Sequence, residues 1–268
     1  MARMIRRALD ILLRRGFRVL ILAAISRLRG MFAGQATFFK PYQHLFDGKS
    51  GVEIGGPSAV FSKGGLFPVY PVVLSLDNCN YQSSTVWNVG DEQTNEFRFD
   101  PQKQSGRQFI VEATSVSALA SHTYDFVLSS HMLEHTANPI LALSEWMRLL
   151  KPQGALLLIL PNPKHTFDHR RPVTTLEHLI GDFESGVTEE DLTHLPEILA
   201  LHDFQRDPDA SDPKGFELRG NRNPENRCLH HHVFDSQLAT ELVRHVGLKV
   251  CAVQEIAPHH IFLLGQHP

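Results

Sequence analysis

The chain has 268 residues, 42% of them hydrophobic and 21% charged, with 18 Gly and 16 Pro. This composition excludes collagen-like, disordered and multi-span membrane classes and allows one generous domain carrying an arm and an insertion. Cys79, Cys228 and Cys251 share no close spacing, so neither a disulfide framework nor a cysteine zinc site is expected, and a reducing, cytoplasmic compartment fits. The net charge of −3 hides an asymmetry, since residues 1–30 hold eight Arg and one Asp, +7, and the remainder carries −10. So acidic a body lacks the broad basic face that phosphate-backbone binding needs, and nucleic acid is not expected as a partner.

Residues 1–50 read as a basic amphipathic arm. Arg3, Arg7, Arg14 and Arg18 recur at helical spacing on one face, with Ile5, Leu9, Leu12, Leu13 and Leu20 on the other. The apolar run 19–25 is too short to span a membrane, and the long Arg-studded lead argues against a signal peptide. Two readings stay open: a helix packed on its own domain or on a partner subunit, and peripheral association with a membrane surface.

From residue 51 the pattern becomes strands alternating with helices, which predicts a parallel sheet. Strands are expected at 51–54, 70–76, 107–112 and 124–130. Asn138-Pro139 is an N-cap followed by the residue best suited to the first helical position, and Leu141, Leu143, Trp146, Leu149 and Leu150 supply an apolar stripe. Residues 154–160 form an almost unbroken apolar run closed by Pro161-Asn162-Pro163, as in a strand buried on both faces. Residues 51–162 are therefore assigned to the core. The acidic, proline-rich segment 163–233 is assigned to an inserted cap, with a helix over 188–201 and turns over 207–227. Residues 234–268 complete the core with a helix from Asp235 and an antiparallel hairpin of strands 248–256 and 260–264.

Polar groups recur at the expected strand ends. Val52-Glu53-Ile54-Gly55-Gly56-Pro57-Ser58 joins the first strand to a turn where glycines let the backbone approach a ligand; Asp77 follows the second strand, Glu112 ends the third and Ser129 the fourth. Ligands of open parallel sheets sit outside the carboxyl edge of the strands, so these groups are expected to line one crevice.

Glu53-Ile54-Gly55-Gly56, Asp77, Glu112-Ala113 and the block Tyr124-Asp125-Phe126-Val127-Leu128-Ser129-Ser130-His131-Met132-Leu133-Glu134-His135, followed by a helix and Leu149-Leu150-Lys151-Pro152-Gln153-Gly154, resemble the class I S-adenosylmethionine-dependent methyltransferases, especially the small-molecule group. The resemblance covers about residues 50–162. It implies an α/β fold with a Rossmann-like seven-stranded sheet and an antiparallel terminal hairpin. It also implies S-adenosylmethionine bound by Glu53 and Gly55 beside the methionine part, with Gly56 in the same turn, by Asp77 at the ribose, by Glu112 near the adenine and by the backbone of Ser129. Pro57 and Ala59 stand where the family has glycine, and 58–68 is too rich in glycine for the family's long helix.

Twelve of the sixteen His lie beyond residue 160. His165 and His169 follow the fifth strand, and His230, His231 and His232 precede the last helix, so both segments are expected over the cofactor mouth. His165, His169 and His231 are the candidate catalytic residues, as proton acceptors from an attacking hydroxyl or amine. A metal that orients the acceptor, and plain hydrogen bonding between cap and core, are the other readings. The expected reaction is O-methylation of a small polar or sugar-like acceptor. A catalytically silent cofactor-binding or scaffold protein is the alternative; a zinc peptidase, from the H-x-x-E-H spacing of His131, Glu134 and His135, is a distant third.

Overall fold

The computed structural model describes residues 39–83, 95–207, 210 and 212–268; the basic amphipathic segment at the start of the chain lies outside them. Among the described residues, eight strands run β1 (Ser50–Ile54), β2 (Ser75–Asn80), β3 (Glu96–Phe97), β4 (Gly106–Ile110), β5 (Tyr124–Ser130), β6 (Leu150–Pro161), β7 (Lys249–Ile256) and β8 (His260–Gln266). They form one sheet in the order β3-β4-β2-β1-β5-β6-β8-β7. The pairs from β4 through β6 are parallel, and β8 is antiparallel to both β6 and β7. Seven strands and the terminal hairpin match the sequence reading; the eighth, β3, is a two-residue antiparallel edge on β4. The chain steps outward from β1 to β2 and β4, then returns to place β5 on the other side of β1, and a ligand crevice opens where the winding reverses.

The helices are α1 (Pro139–Leu149), α2 (Leu176–Glu184), α3 (Leu195–Leu201), α4 (Pro213–Gly220), α5 (Asn223–Asn226) and α6 (Ser236–His245). The ends of α1 and α6 follow from local chemistry. Asn138 accepts from the Leu141 amide at 3.1 Å with Pro139 as the first helical residue, and Asp235 accepts from the Leu238 amide at 2.8 Å. Leu143 and Trp146 of α1 and Leu238 and Leu242 of α6 bury against one face of the sheet. The other face is covered largely by aromatic side chains of the 39–73 segment, with Phe39, Phe46, Phe61, Phe67 and Tyr70 packed on Phe126, Leu157 and Phe262. Apart from β1, that segment holds only the short 3-10 turns Lys40–Leu45 and Ala59–Phe61. Residues 39–50, the end of the expected arm, thus belong to the core. Strand β6 serves both layers: Leu156, Leu158 and Leu160 point into one, Ala155, Leu157 and Ile159 into the other. Burying each of the larger side chains contributes about 1.5–3 kcal/mol.

Several elements differ from the sequence reading, among them the helices α2 and α5, which were not expected. The second strand was expected over 70–76 and runs instead over Ser75–Asn80. Pro71 has no amide to give to a ladder, so Val69, Tyr70 and Val73 bury as a turn and the strand begins beyond them. Within the cap, the helix expected from Thr188 starts only at Leu195, because Asp191 accepts from the amide and hydroxyl of Thr193 and closes a turn. Conversely, α4 forms where only turns were expected. Asp212 caps it, accepting from the Gly215 amide at 2.8 Å, and Pro213 is its first residue. The cap has its own small core of Leu195, Ile198, Ala210, Phe216 and Leu229.

Candidate functional site

A cavity of about 750 Å³ opens at the carboxyl edge of β1, β2, β4, β5 and β6, with cap residues Glu189, Arg206, Arg219, Arg227 and His230 on its far side and His259-His260, from the β7–β8 hairpin, at one end. Such a volume suits a ligand of nucleotide size.

The turn after β1 forms part of the floor. Gly55 has a left-handed backbone (φ +88°), donates its amide to the Cys79 carbonyl at 2.9 Å, and sits where a Cβ would lie 2.8 Å from Met132 Cγ, so glycine is required there. The turn is pinned from beneath. Asn78 Oδ1 accepts from the Gly56 amide at 2.9 Å, and Asn78 and Asn80 both donate to the Gly56 carbonyl. Glu53 does not reach the cavity. Fully buried, it accepts from the Ser58 amide at 3.0 Å and the Tyr70 hydroxyl at 2.6 Å, and burial pushes its carboxyl up to about 7. Its role is to hold the turn, while Gly55 and Gly56 line the cavity.

Asp77 also lies away from the cavity. Because β2 extends to Asn80, Asp77 sits in mid-strand opposite Val52, where it accepts from the Arg107 amide (2.8 Å), Arg107 Nη2 (2.7 Å) and the Tyr124 hydroxyl (2.8 Å). The strand-end position belongs to Asn80 and Tyr81, which do line the cavity. Glu112 is in the wall as expected, accepting from Arg227 Nη2 at 2.7 Å. Ser129 is fully buried with its hydroxyl unpartnered among the described residues; its neighbour Ser130 faces the cavity.

Of the three candidate catalytic histidines, only His165 lines the cavity. His169 turns outward to Asp203 (2.8 Å), and His231 is buried against Asn223 (2.9 Å). Burial lowers the His231 ring to about 4. The imidazole at the wall is instead His230. Its Nδ1 meets Asp168 Oδ2 at 2.5 Å; Asp168 in turn accepts from Arg171 Nη1 at 3.1 Å, and Arg171 also donates to the carbonyls of His230 and His231. Burial works against charge on the His230 ring, but Asp168 outweighs it and raises its pKa. The Asp168 contact leaves Nε2 as the other nitrogen of the ring. Alternation of inward and outward residues in an irregular segment has no sequence signature, which is why adjacent histidines were exchanged. The signal that was available is Asp168 within His165-Thr166-Phe167-Asp168-His169-Arg170-Arg171.

Two further polar groups surround His230. His135 lies edge-on to it with ring centroids 4.6 Å apart. The Glu134 carboxyl, fully buried in the wall, has no hydrogen-bond partner among the described residues and is pushed up to about 7 by burial. On the other side, His131 Nε2 meets His260 Nδ1 at 2.8 Å, with His259 alongside. Burial holds His131 well below its ordinary value and brings His260 to about 3, so both are neutral near pH 7.

This arrangement corrects the zinc-peptidase reading. His131 has left-handed backbone (φ 50°) beyond the end of β5, and Leu133–His135 is a single 3-10 turn, so the two imidazoles do not share a helix face. They join different groups, His131 with His259 and His260, and His135 with Glu134 and His230.

Residues 77–158, from β2 into β6, match the family model described as a methyltransferase domain. No curated protein matches the sequence significantly. Similar solved structures include a SAM-dependent methyltransferase from Aquifex aeolicus (12% identity, 91% of this chain and 93% of that one covered, TM-score 0.47). Two others are an S-adenosylmethionine-dependent methyltransferase from Mesorhizobium loti (10%, 85% and 96%, 0.48) and SAM-dependent methyltransferases from Methanosarcina mazei (14%, 85% and 97%, 0.46).

Proposed function

We propose that the protein, whose residues 77–158 match the methyltransferase-domain model, binds S-adenosylmethionine at the carboxyl edge of its sheet and transfers the methyl to a hydroxyl of a small polar acceptor held under the cap. The observation that supports this most is the joining, in one cavity, of the pinned Gly55-Gly56 turn and Glu112 with the Asp168-held His230. The donor set suits the cofactor. The turn would offer close backbone approach to the amino-acid part, Asn80 and Tyr81 would hold the ribose, and Glu112, which also accepts from Arg227 Nη2, would meet the adenine amine. When bound, the cofactor supplies a methyl already electrophilic on its sulfonium.

The protein's own work is then alignment, exclusion of water and management of one proton. Met132, Phe167 and the aliphatic part of Val60 give the cavity dry surfaces, while Arg206, Arg219 and Arg227 give it donors for an acceptor rich in oxygen. Nε2 of His230 is the proton acceptor, with Asp168 fixing the tautomer and stabilising the imidazolium that forms. The polarity of the cap side favours a hydroxylated or sugar-like acceptor over an apolar one.

The test begins with calorimetry of S-adenosylmethionine and its demethylated product, followed by a mass-shift screen of extracts for any compound that gains a labelled methyl. With an acceptor in hand, His230→Ala is expected to lower turnover about 10²- to 10⁴-fold with cofactor affinity unchanged. Absence of binding overturns the proposal; binding without turnover across acceptors points to the silent scaffold.

A further inference from the structure

Four side chains of the cap converge on one point, and none of them lines the cavity. We propose that His178, Asp182, His194 and His232 form a site for a divalent transition-metal ion, zinc by its donor set, that clamps the cap to the core. Helix α2 places His178 and Asp182 four residues apart on one face. His194 immediately precedes α3, and His232 lies on the return segment. One donor atom of each lies within 4.8 Å of all the others.

The separations are those that coordination requires. Nε2 of His178 lies 3.1 Å from Nε2 of His194 and 3.3 Å from Asp182 Oδ2, and Nε2 of His232 lies 3.7 Å from that same oxygen. A tetrahedral zinc with bonds of about 2.0–2.1 Å holds its donors about 3.3–3.4 Å apart. The three rings meet edge to face, with centroids 5.0, 5.1 and 5.7 Å apart at 77°, 73° and 63°, so their nitrogens converge without stacking.

Hydrogen bonding within the protein leaves the group incomplete. Asp182 Oδ2 is buried with no hydrogen-bond partner among the described residues. Unmet polar atoms of this kind are costly, and an ion coordinated here offsets that cost. Three neutral imidazoles and one carboxylate are borderline N and O ligands, which suit zinc over magnesium or calcium. A fourth protein ligand closes the coordination shell, as in structural rather than catalytic zinc sites.

The consequence is mechanical. Asn138, the N-cap of α1, donates to the Asp182 and Val187 carbonyls, both at 3.3 Å, and Nε2 of His232 donates to the Ala137 carbonyl at 3.2 Å, a bond that coordination through this nitrogen replaces. An ion at this point therefore ties α2, the 187–194 turn and the return segment to the start of α1. It would set the position of the cap above the cavity whatever reaction takes place there.

The experiment uses the full chain, stripped with chelator, reloaded with Zn²⁺ alone and desalted, with bound metal counted by plasma mass spectrometry. Wild type is expected to hold one equivalent more than His178→Ala and than Asp182→Asn, and Zn²⁺ is expected to raise the melting temperature of wild type but of neither variant. His260→Ala, in the cavity trio, is expected to lose none of that equivalent. His178 is half-exposed, so its truncation leaves the core intact. Equal zinc content in wild type and both variants overturns the proposal, as does loss of the equivalent in His260→Ala alone.

Discussion

Asp77→Ala separates a structural role for this acid from a ligand-binding one. The carboxylate accepts from the Arg107 amide, Nε and Nη2 and from the Tyr124 hydroxyl, at 2.7–3.1 Å. Removing it leaves the buried Tyr124 hydroxyl without its acceptor, at about 1–3 kcal/mol, and takes about 0.5–1.5 kcal/mol from the amide bond. The guanidinium contributes less, because the Arg107 side chain is 67% exposed and water replaces much of what it loses. The total is about 1.5–4.5 kcal/mol, or a fall in melting temperature of roughly 3–18 °C for a chain of this size. Scanning fluorimetry and calorimetry with the demethylated cofactor give the two readouts. The expected result is a large loss of stability with cofactor affinity within threefold of wild type. Tyr124→Phe should lose part of the same stability, and the double variant should fall short of the sum, since the two groups share one bond. Unchanged melting with a tenfold or greater loss of affinity would refute the reasoning and return Asp77 to the ribose.

Glu53 has a folded-state pKa of about 7, raised from 4.5 by burial. The native state therefore binds more protons than the unfolded chain between those values, and its contribution to stability falls as pH rises from 4.5 to 7. Glu53→Gln should flatten that part of the melting-temperature profile relative to wild type; profiles of equal slope would contradict the assignment. Gly55→Ala forces a side chain into φ +88° and against Met132; it should cost about 1–3 kcal/mol in chemical denaturation and weaken cofactor binding, and a neutral effect would mean that the turn relaxes freely. For the arm, a version lacking residues 1–30 should float with anionic vesicles less than the full chain, and added salt should abolish the difference. Equal flotation would make the arm a packing element.

The division between what was legible in the sequence and what was not follows from the range of the interactions involved. Strand β5, the buried strand β6, the capped start of α1 and the terminal hairpin are written in local signals: alternation, an unbroken apolar run, Asn138-Pro139, and two apolar stretches around a proline turn. Those same signals, with the Gly55-Gly56 turn, determined the fold class and the edge of the sheet where a ligand would sit. Asp77 and Asn80 are three residues apart on one strand, and which of them ends it depended on where pairing with β1 begins. Pro71 is a local signal against pairing there, but the burial of Tyr70, which the fold uses as a turn in the core, is of tertiary origin. The cap carries little periodicity, so the sequence supplied its histidines but not their partners. His165 and Glu112 fell where expected, whereas His230 rather than His231 reached the cavity because Arg171 grips the carbonyls of both and turns one ring toward Asp168. The convergence of His178, Asp182, His194 and His232 spans 55 positions of sequence. Only the packing of the cap against the start of α1 brings those four donors to one point, because separations of a few ångströms between residues so far apart are fixed by the folded chain and by nothing local.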